Sequence, residues 1–168
     1  MGEALPLSKR PGDALLALFF FLHLPIMILI DGQTVFPKDW YPAFLKDVVK
    51  FHITTNGDYL VRDLPPFFMA LIFCEFAIQL PLHAACGYAF VTGKKWGRMA
   101  GIIYGVHTAT TMVPILGDIL ASQEPTRFTL LAIYLPYLVI PLIVVACLLP
   151  YTDPFAAPVK SSVEKKRQ

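Results

Sequence analysis

The sequence has few charged residues and no excess of either sign. Only 15% of its 168 residues are Asp, Glu, Lys or Arg, against about 25% in ordinary soluble domains. Fourteen basic and 12 acidic side chains leave a net charge of +2. A disordered chain needs low hydrophobicity with high net charge, and a nucleic-acid-binding domain needs a strongly basic face. Both classes are therefore excluded, and we expect no nucleic-acid partner.

Cysteine clusters and the common catalytic motifs are also missing. Three cysteines lie inside apolar runs, and their odd number and spacing fit neither a zinc site nor a redox pair. We interpret them as buried apolar thiols and predict no metal site. The sequence contains no phosphate-binding glycine loop and no serine nucleophile elbow, so no cofactor is predicted. The cysteines are Cys74, Cys86 and Cys147.

Apolar residues, in contrast, make up 56% of the chain and form four long runs. A helix that crosses a membrane needs about 20 predominantly apolar residues. We predict an all-α integral membrane protein, with one domain over residues 1–168 that forms a bundle of four transmembrane helices. The spans are expected at about 14–31, 64–91, 99–118 and 127–149, followed by a basic cytosolic tail over 150–168.

The first run follows Lys9 and Arg10, as the apolar part of a signal peptide would. It is 17 residues long, from Ala14 to Ile30, which exceeds the usual length of about 7–15 residues. It also ends without the small-x-small pattern of a cleavage site. We therefore predict a retained membrane helix.

Positive charge predicts the orientation in the membrane. Four spans place both termini on one side, and that side holds nine of the 14 basic residues, so both termini are expected in the cytosol. Lys165 and Lys166 stand four and three residues from the C-terminal end, a dilysine pattern for return to the endoplasmic reticulum membrane. The alternative is a basic tail lying near anionic lipid. The nine residues are Lys9, Arg10, Lys94, Lys95, Arg98, Lys160, Lys165, Lys166 and Arg167.

The loop between the first two spans is semi-apolar. Its apolar residues are spaced as one face of a helix, so we predict an amphipathic helix over Lys38 to about Phe51 that caps the bundle on the luminal side. Asn56-Gly57 predicts a turn, and Pro65-Pro66 is suited to open the second span. The predicted face comprises Trp40, Tyr41, Phe44, Leu45, Val48, Val49 and Phe51.

Two carboxyls lie where a membrane protein should have none. A charge at membrane depth costs roughly 2.5–3.5 kcal/mol on insertion scales, so an ionisable residue there indicates a functional site. Glu75 lies well inside the second span with Gln79 one turn later, and Asp31 ends the first span. Two carboxyls that meet in a poorly solvated site cannot both ionise easily, so they would share one proton. The alternatives are a structural hydrogen bond made by Glu75 and an interfacial role for Asp31.

Further polar residues and prolines lie within the spans. Each span carries at least one proline, and prolines bend helices and release carbonyls, which favours an internal pocket. We place His107 and Tyr134 near the site; a purely structural role is the alternative for the histidines and aromatic packing for Tyr134. The polar residues are His23, His107, Thr111, Tyr134 and Tyr137, and the prolines are Pro25, Pro81, Pro114, Pro136 and Pro141.

Several sequence blocks, from about Phe20 to Pro141, together resemble the EXPERA domain family in its sigma-2 receptor branch. No single block is specific, but their combination is. The blocks are Leu22-His23-Leu24-Pro25, Asp31-Gly32-Gln33-Thr34-Val35-Phe36-Pro37, Phe73-Cys74-Glu75, Gln79-Leu80-Pro81, Ile102-Ile103-Tyr104-Gly105-Val106-His107-Thr108, Thr110-Thr111-Met112-Val113-Pro114-Ile115-Leu116, Tyr134-Leu135-Pro136-Tyr137 and Ile140-Pro141.

The resemblance implies a homodimeric protein of the endoplasmic reticulum with a pocket for sterols and lipophilic amines. It implies that Asp31 contacts the ligand amine, that Glu75 hydrogen-bonds Asp31, and that Asp58 is structural. The family carries aromatic residues where this chain has His52 and Asn56. The other ligand-binding residues that the resemblance implies are His23, Gln79, Tyr104, Thr111 and Tyr137.

We therefore predict a non-enzymatic membrane receptor that binds a sterol or a lipophilic amine, contacts membrane lipid and acts in sterol (cholesterol) homeostasis or trafficking. One alternative is a sterol Δ8–Δ7 isomerase, an activity that the family includes. Gln79 cannot exchange a proton at neutral pH, but Asp31, Glu75 and His107 are a second candidate acid–base set. The other alternative is a chaperone-like regulator of a lysosomal sterol transport protein.

Overall fold

The computed structural model describes residues 4–156, and their regular elements are all helices. This confirms the predicted all-α membrane bundle. Four helical stretches are long and apolar enough to cross a membrane, namely Pro11–Thr34, Pro66–Thr92, Gly97–Ala121 and Arg127–Leu148. The α-helices are α1 Pro11–Leu29, α2 Ala43–Asn56, α3 Tyr59–Asp63, α4 Pro66–Cys74, α5 Leu80–Thr92, α6 Gly97–Ala121, α7 Arg127–Tyr134 and α8 Pro136–Leu148.

Prolines divide two of the four spans into shorter helices. Pro136 is the first residue of α8 and separates it from α7 within the fourth span. In the second span a π-helical turn, Glu75–Gln79, joins α4 to α5, and the Leu80 N–H donates to the Glu75 carbonyl. Because Pro81 has no N–H of its own, the turn before it is free to widen into this form.

The spans pack as two close pairs, α1 against α5 and α6 against α8. Two clusters of buried apolar side chains hold them together. One cluster surrounds Phe20, Phe90 and Tyr104, and the other surrounds Phe68 and Met112 nearer the opposite end. Tyr104 of the first cluster and Phe68 and Met112 of the second also border an internal cavity.

The two ends of the described chain meet at one end of the bundle. The Leu5 N–H donates to the Phe155 carbonyl at 3.1 Å. The buried Arg10 guanidinium donates to the Phe90 carbonyl at 3.0 Å and to Asp13 at 2.8 Å. The two ends of the described residues therefore lie on the same side of the bundle, and the cytosolic placement of the termini stays a prediction. The predicted dilysine, Lys165 and Lys166, lies outside the described residues.

The cap at the other end differs from the prediction in its bounds. Lys38–Trp40 forms a 3₁₀ turn, and α2 begins only at Ala43 and continues to Asn56. The predicted single helix was wrong because Pro42 lies within it: the residue before a proline disfavours helical geometry, and proline itself suits a helix start. The predicted turn is confirmed, since Gly57 has φ +66° and ends α2 in the left-handed region.

Only part of the predicted apolar face of the cap packs inward: Tyr41 is buried and its Oη donates to the Ile28 carbonyl at 3.2 Å, while Leu45 and Val49 are half-buried. Trp40, Phe44 and Phe51 are 71%, 65% and 65% exposed and do not cover the bundle. Polar contacts attach the cap as well, among them a hydrogen bond of 3.2 Å from Gln33 Nε2 to the Leu45 carbonyl. Its role is therefore to bring selected polar side chains to the end of the cavity.

Candidate functional site: a cavity between the membrane helices

A cavity of about 300 Å³ lies among the four spans and beneath the cap. Its size falls at the lower end of the range for small-molecule sites. Apolar atoms form most of its surface, although polar side chains contribute at several points. The lining residues are His23, Ile26, Ile30, Asp31, Thr34, His52, Val61, Phe68, Leu71, Ile72, Glu75, Gln79, His83, Tyr104, Thr108, Thr111, Met112, Ile115, Ile133, Tyr134 and Tyr137.

Asp31 and Glu75 meet at one end of this cavity. Asp31 begins the 3₁₀ turn that follows α1, and Glu75 begins the π-helical turn of the second span. The two carboxyls are close neighbours in the cavity wall, and both side chains are only partly exposed. Two such groups in contact favour one shared proton. The pair then presents one negative charge to a mostly apolar space.

Gln79 fixes the wall beside this pair. Its Nε2 donates to Thr111 Oγ1 at 3.3 Å, and its Oε1 accepts from Thr108 Oγ1 at 3.1 Å. Thr111 in turn donates to the Thr108 carbonyl at 2.9 Å. The amide therefore has partners on both its donor and acceptor sides, and it ties the second span to α6 next to the cavity.

A second polar cluster supports the cavity from the cap. The buried Asp58 carboxylate caps α3 by accepting from the Val61 N–H at 3.1 Å. It also accepts from Tyr134 Oη at 2.7 Å and pairs with His52 Nε2 at 2.8 Å. Asn56 Nδ2 donates to His52 Nδ1 at 2.8 Å, so His52 Nε2 carries the proton that faces Asp58. The cluster thereby holds His52 and Tyr134 in the cavity wall.

The charges of this cap cluster stabilise each other. The hydrogen bond that His52 donates to Asp58 raises the pKa of His52, although burial opposes that shift. Burial alone would raise the pKa of Asp58, but the hydrogen bonds from His52, Tyr134 and Val61 outweigh it and leave the pKa below its usual value. An ionised Asp58 beside His52 is the favoured state at neutral pH.

Aromatic and imidazole rings line the opposite end of the cavity. The His23 ring lies 5.0 Å from that of His83 and 5.1 Å from that of Tyr137, between ring centres. His83 also meets Tyr104 edge to face at 4.7 Å. The rings at this end of the cavity carry no charge as long as the two imidazoles are neutral.

The structure brings together the ligand-binding residues that the sequence predicts. All seven line the cavity, as does Tyr134, while Asp58 lies behind the wall and supports it. These are His23, Asp31, Glu75, Gln79, Tyr104, Thr111 and Tyr137.

His107 was placed wrongly by the sequence, and two other histidines were missed. His107 lines a separate groove with Val106 and Thr110 on the outer face of α6, so it does not join Asp31 and Glu75 in an acid–base set. The cavity instead contains His52 and His83. For His83 a signal existed, since it follows Gln79 by four residues and so shares its helix face. His52 reaches the cavity only through the fold of the cap.

Chemically, the arrangement suits binding of an amphipathic molecule. The carboxyl pair provides a single buried charge or a donor–acceptor pair, and the wall provides apolar contact. In residues 4–156 no group of three or more metal-ligating side chains converges.

Known proteins resemble this chain over most of its length. The model of the EXPERA family (EXPanded EBP superfamily) matches residues 44–147. Sigma intracellular receptor 2 of Homo sapiens is 37% identical over 163 residues, covering 87% of this chain and 93% of that protein. The Xenopus tropicalis protein of the same name is 37% identical over 143 residues, covering 78% and 84%. Efficient mitochondria targeting-associated protein 19 of Saccharomyces cerevisiae is 28% identical over 143 residues, covering 74% and 89%.

Proposed function

This chain belongs to the EXPERA domain family, and from that membership and its cavity we propose that it is an intracellular membrane receptor for sterols or lipophilic amines. It is a multi-pass membrane protein whose relatives include proteins named as receptors. The observation that carries the proposal is the pairing of Asp31 with Glu75 in a cavity whose surface is mostly apolar and that has no other carboxyl among the described residues of its lining.

The carboxyl pair favours a cationic ligand. With one proton shared, Glu75 donates to Asp31 and Asp31 keeps the negative charge that pairs with an amine. Hydrogen bonds to a charged group contribute about 1.5–3 kcal/mol, more than neutral ones. The apolar lining, with Ile26, Leu71 and Ile133 among its members, takes the rest of the ligand. A sterol fits the same description, since its hydroxyl can hydrogen-bond the acid pair while its rings contact the wall.

Radioligand binding to detergent-purified protein tests this proposal. We expect saturable binding of a lipophilic guanidine with aromatic groups, and a loss of at least about tenfold in affinity for Asp31→Asn, because one charge-assisted hydrogen bond disappears. Binding should also fade as pH falls and both carboxyls become protonated. Asp63→Asn is the matched control, since Asp63 is exposed and pairs with Arg62 outside the cavity. Normal binding by Asp31→Asn would show that the charge partner is misassigned.

A sterol isomerase is the competing function for the same cavity. Relatives of this chain are named as receptors, and the acid–base set that includes His107 is not assembled. We therefore propose binding without turnover. Conversion of a Δ8 sterol by the purified protein would contradict this, whereas displacement of the radioligand by an unchanged sterol would support it.

The proposal also covers the membrane in which the receptor lies, its orientation and its partners. We place it in the endoplasmic reticulum membrane with both termini cytosolic, as a homodimer that acts in sterol homeostasis or trafficking. Contact with a lysosomal sterol transport protein is a further proposed role. The test is whether the two proteins co-purify. If a surface mutation abolishes co-purification and leaves ligand binding intact, the partner role is separate from the pocket.

A further inference from the structure

His83 has a buried nitrogen that the ligand-binding scheme above does not use. The residue is 1% exposed, lies on α5 and lines the cavity. Its Nδ1 is 3.2 Å from the Gln79 carbonyl, and a carbonyl only accepts, so Nδ1 carries the proton. In the neutral ring Nε2 is then an acceptor. This buried atom has no hydrogen-bond partner among the described residues.

The surroundings of His83 favour the neutral ring. Its close ring neighbours are Phe19, Phe20, Tyr104 and His23, and none of them carries a negative charge that would stabilise an imidazolium. A phenylalanine would suit these neighbours without any polar atom to satisfy. An unpaired buried acceptor is unfavourable and rare in native proteins. Among the described residues one other buried side-chain nitrogen, His107 Nδ1, also lacks a partner, but it belongs to the groove outside the cavity. His83 lines the cavity, so a partner for its Nε2 would enter there.

The helices separate His83 from the carboxyl pair by about two helical turns. Glu75 precedes His83 by eight residues on the second span, and His23 precedes Asp31 by eight on the first. At 1.5 Å per helical residue, eight residues correspond to about 12 Å. Because the two spans run in opposite directions, Asp31 meets Glu75 at one end and His23 meets His83 at the other.

We propose that His83 Nε2 forms a second polar subsite, which accepts a hydrogen bond from a hydroxyl at the far end of the ligand. The cavity then recognises molecules that are polar at both ends and apolar between them, with a cation or hydroxyl at Asp31 and Glu75 and a neutral donor at His83. This inference rests on the proposed binding function and specifies the class of ligand.

Two matched probes test the subsite. Both are lipophilic amines with an alkyl tail long enough to span about 12 Å; one tail ends in a hydroxyl and the other in a methyl group. His83→Phe removes the acceptor and keeps a ring among the aromatic neighbours. We expect the affinity ratio of hydroxyl to methyl probe to fall about 3- to 10-fold from wild type to His83→Phe, the effect of one neutral hydrogen bond. The methyl probe should bind the variant at least as well as wild type.

His107→Phe is the control for this experiment. It makes the same substitution at a histidine that lies outside the cavity, and it should leave the affinity ratio unchanged. Because each result is a ratio between two proteins, the different partitioning of the probes into detergent cancels. Should His83→Phe fail to fold, His83→Leu repeats the measurement with a smaller side chain.

The outcomes separate this inference from the proposed function. An unchanged probe ratio in His83→Phe, or an equal weakening of both probes, would overturn the second subsite. Absence of saturable binding of the methyl-tailed amine to wild type would instead overturn the receptor proposal itself. A lowered ratio in His83→Phe with an unchanged ratio in His107→Phe supports the subsite.

Discussion

Replacement of the buried Asp58 carboxylate by the isosteric amide in Asp58→Asn is expected to loosen the cap. Three donors converge on this carboxylate: the Val61 N–H, Tyr134 Oη and His52 Nε2. An asparagine offers one acceptor oxygen and one NH₂ group, so at least one of the three donors faces another donor. A buried donor without a partner costs about 1–3 kcal/mol, and the remaining hydrogen bonds lose the contribution of the charge. We expect a loss of about 3 kcal/mol in the free energy of unfolding.

Thermal unfolding of the detergent-purified protein measures this effect. A loss of about 3 kcal/mol corresponds to a midpoint lower by about 6–12 °C in a chain of this length. Tyr134→Phe removes a single hydrogen bond and should produce a smaller decrease. Asp63→Asn is the control, since Asp63 is exposed beside Arg62. A midpoint for Asp58→Asn equal to that of wild type would refute the role of Asp58 as the centre of the cap.

The same cluster predicts how stability depends on pH. The pKa of Asp58 is lower in the folded state, so its contribution is present above its usual pKa and is lost as pH falls through the folded value. The pKa of His52 is raised, so its contribution is complete below the usual pKa and is lost as pH rises through the folded value. Wild type should therefore be most stable between about pH 4 and 6.5, the ordinary values of the two groups. In Asp58→Asn both slopes should flatten, and unchanged slopes would contradict the pairing.

Two further predictions concern helix packing and location. Gly105→Ala should destabilise by about 1–3 kcal/mol, because a Cβ there lies 2.6 Å from the Pro141 carbonyl oxygen on α8. Gly117→Ala on the same helix meets nothing within 4 Å and should be neutral or stabilising by up to about 1 kcal/mol; equal effects in thermal unfolding would refute this close approach. Changing Lys165 and Lys166 to serine should let the protein leave the endoplasmic reticulum in cell imaging, whereas an unchanged location would indicate only a basic anchor.

Much of the fold is predictable from local pattern. The four spans follow from runs of apolar residues long enough to cross hydrocarbon, because a membrane helix satisfies its own backbone hydrogen bonds. The left-handed turn at Gly57 follows from its sequence in the same way. The cap was predicted less well. The prediction followed the spacing of the aromatic residues and gave Pro42 too little weight, although that proline determines where α2 begins.

The candidate site, too, was predictable from the sequence only in part. Asp31 and Glu75 are conspicuous in the sequence because charges at membrane depth are costly. His107 is as conspicuous as His23, yet it lies in a groove outside the cavity. His83 lies inside an apolar run and is inconspicuous, yet it is buried at the end of the cavity. Which histidine faces inward depends on how each helix is rotated against its neighbours, and apolar runs that are hydrophobic all round do not specify that rotation.

The amino-acid sequence by itself determined that this protein crosses a membrane four times and carries two carboxyls where their solvation is poor. The reason is that span length and burial cost are properties of single segments. Only the tertiary structure decided that Asp31 lies beside Glu75, that Asp58 holds His52 and Tyr134 in the cavity wall, and that His83, with a buried nitrogen lacking a partner among the described residues, lines the cavity. These contacts join segments distant in the chain, and the packing of α1 on α5, the widened turn before Pro81 and the fold of the cap bring them together.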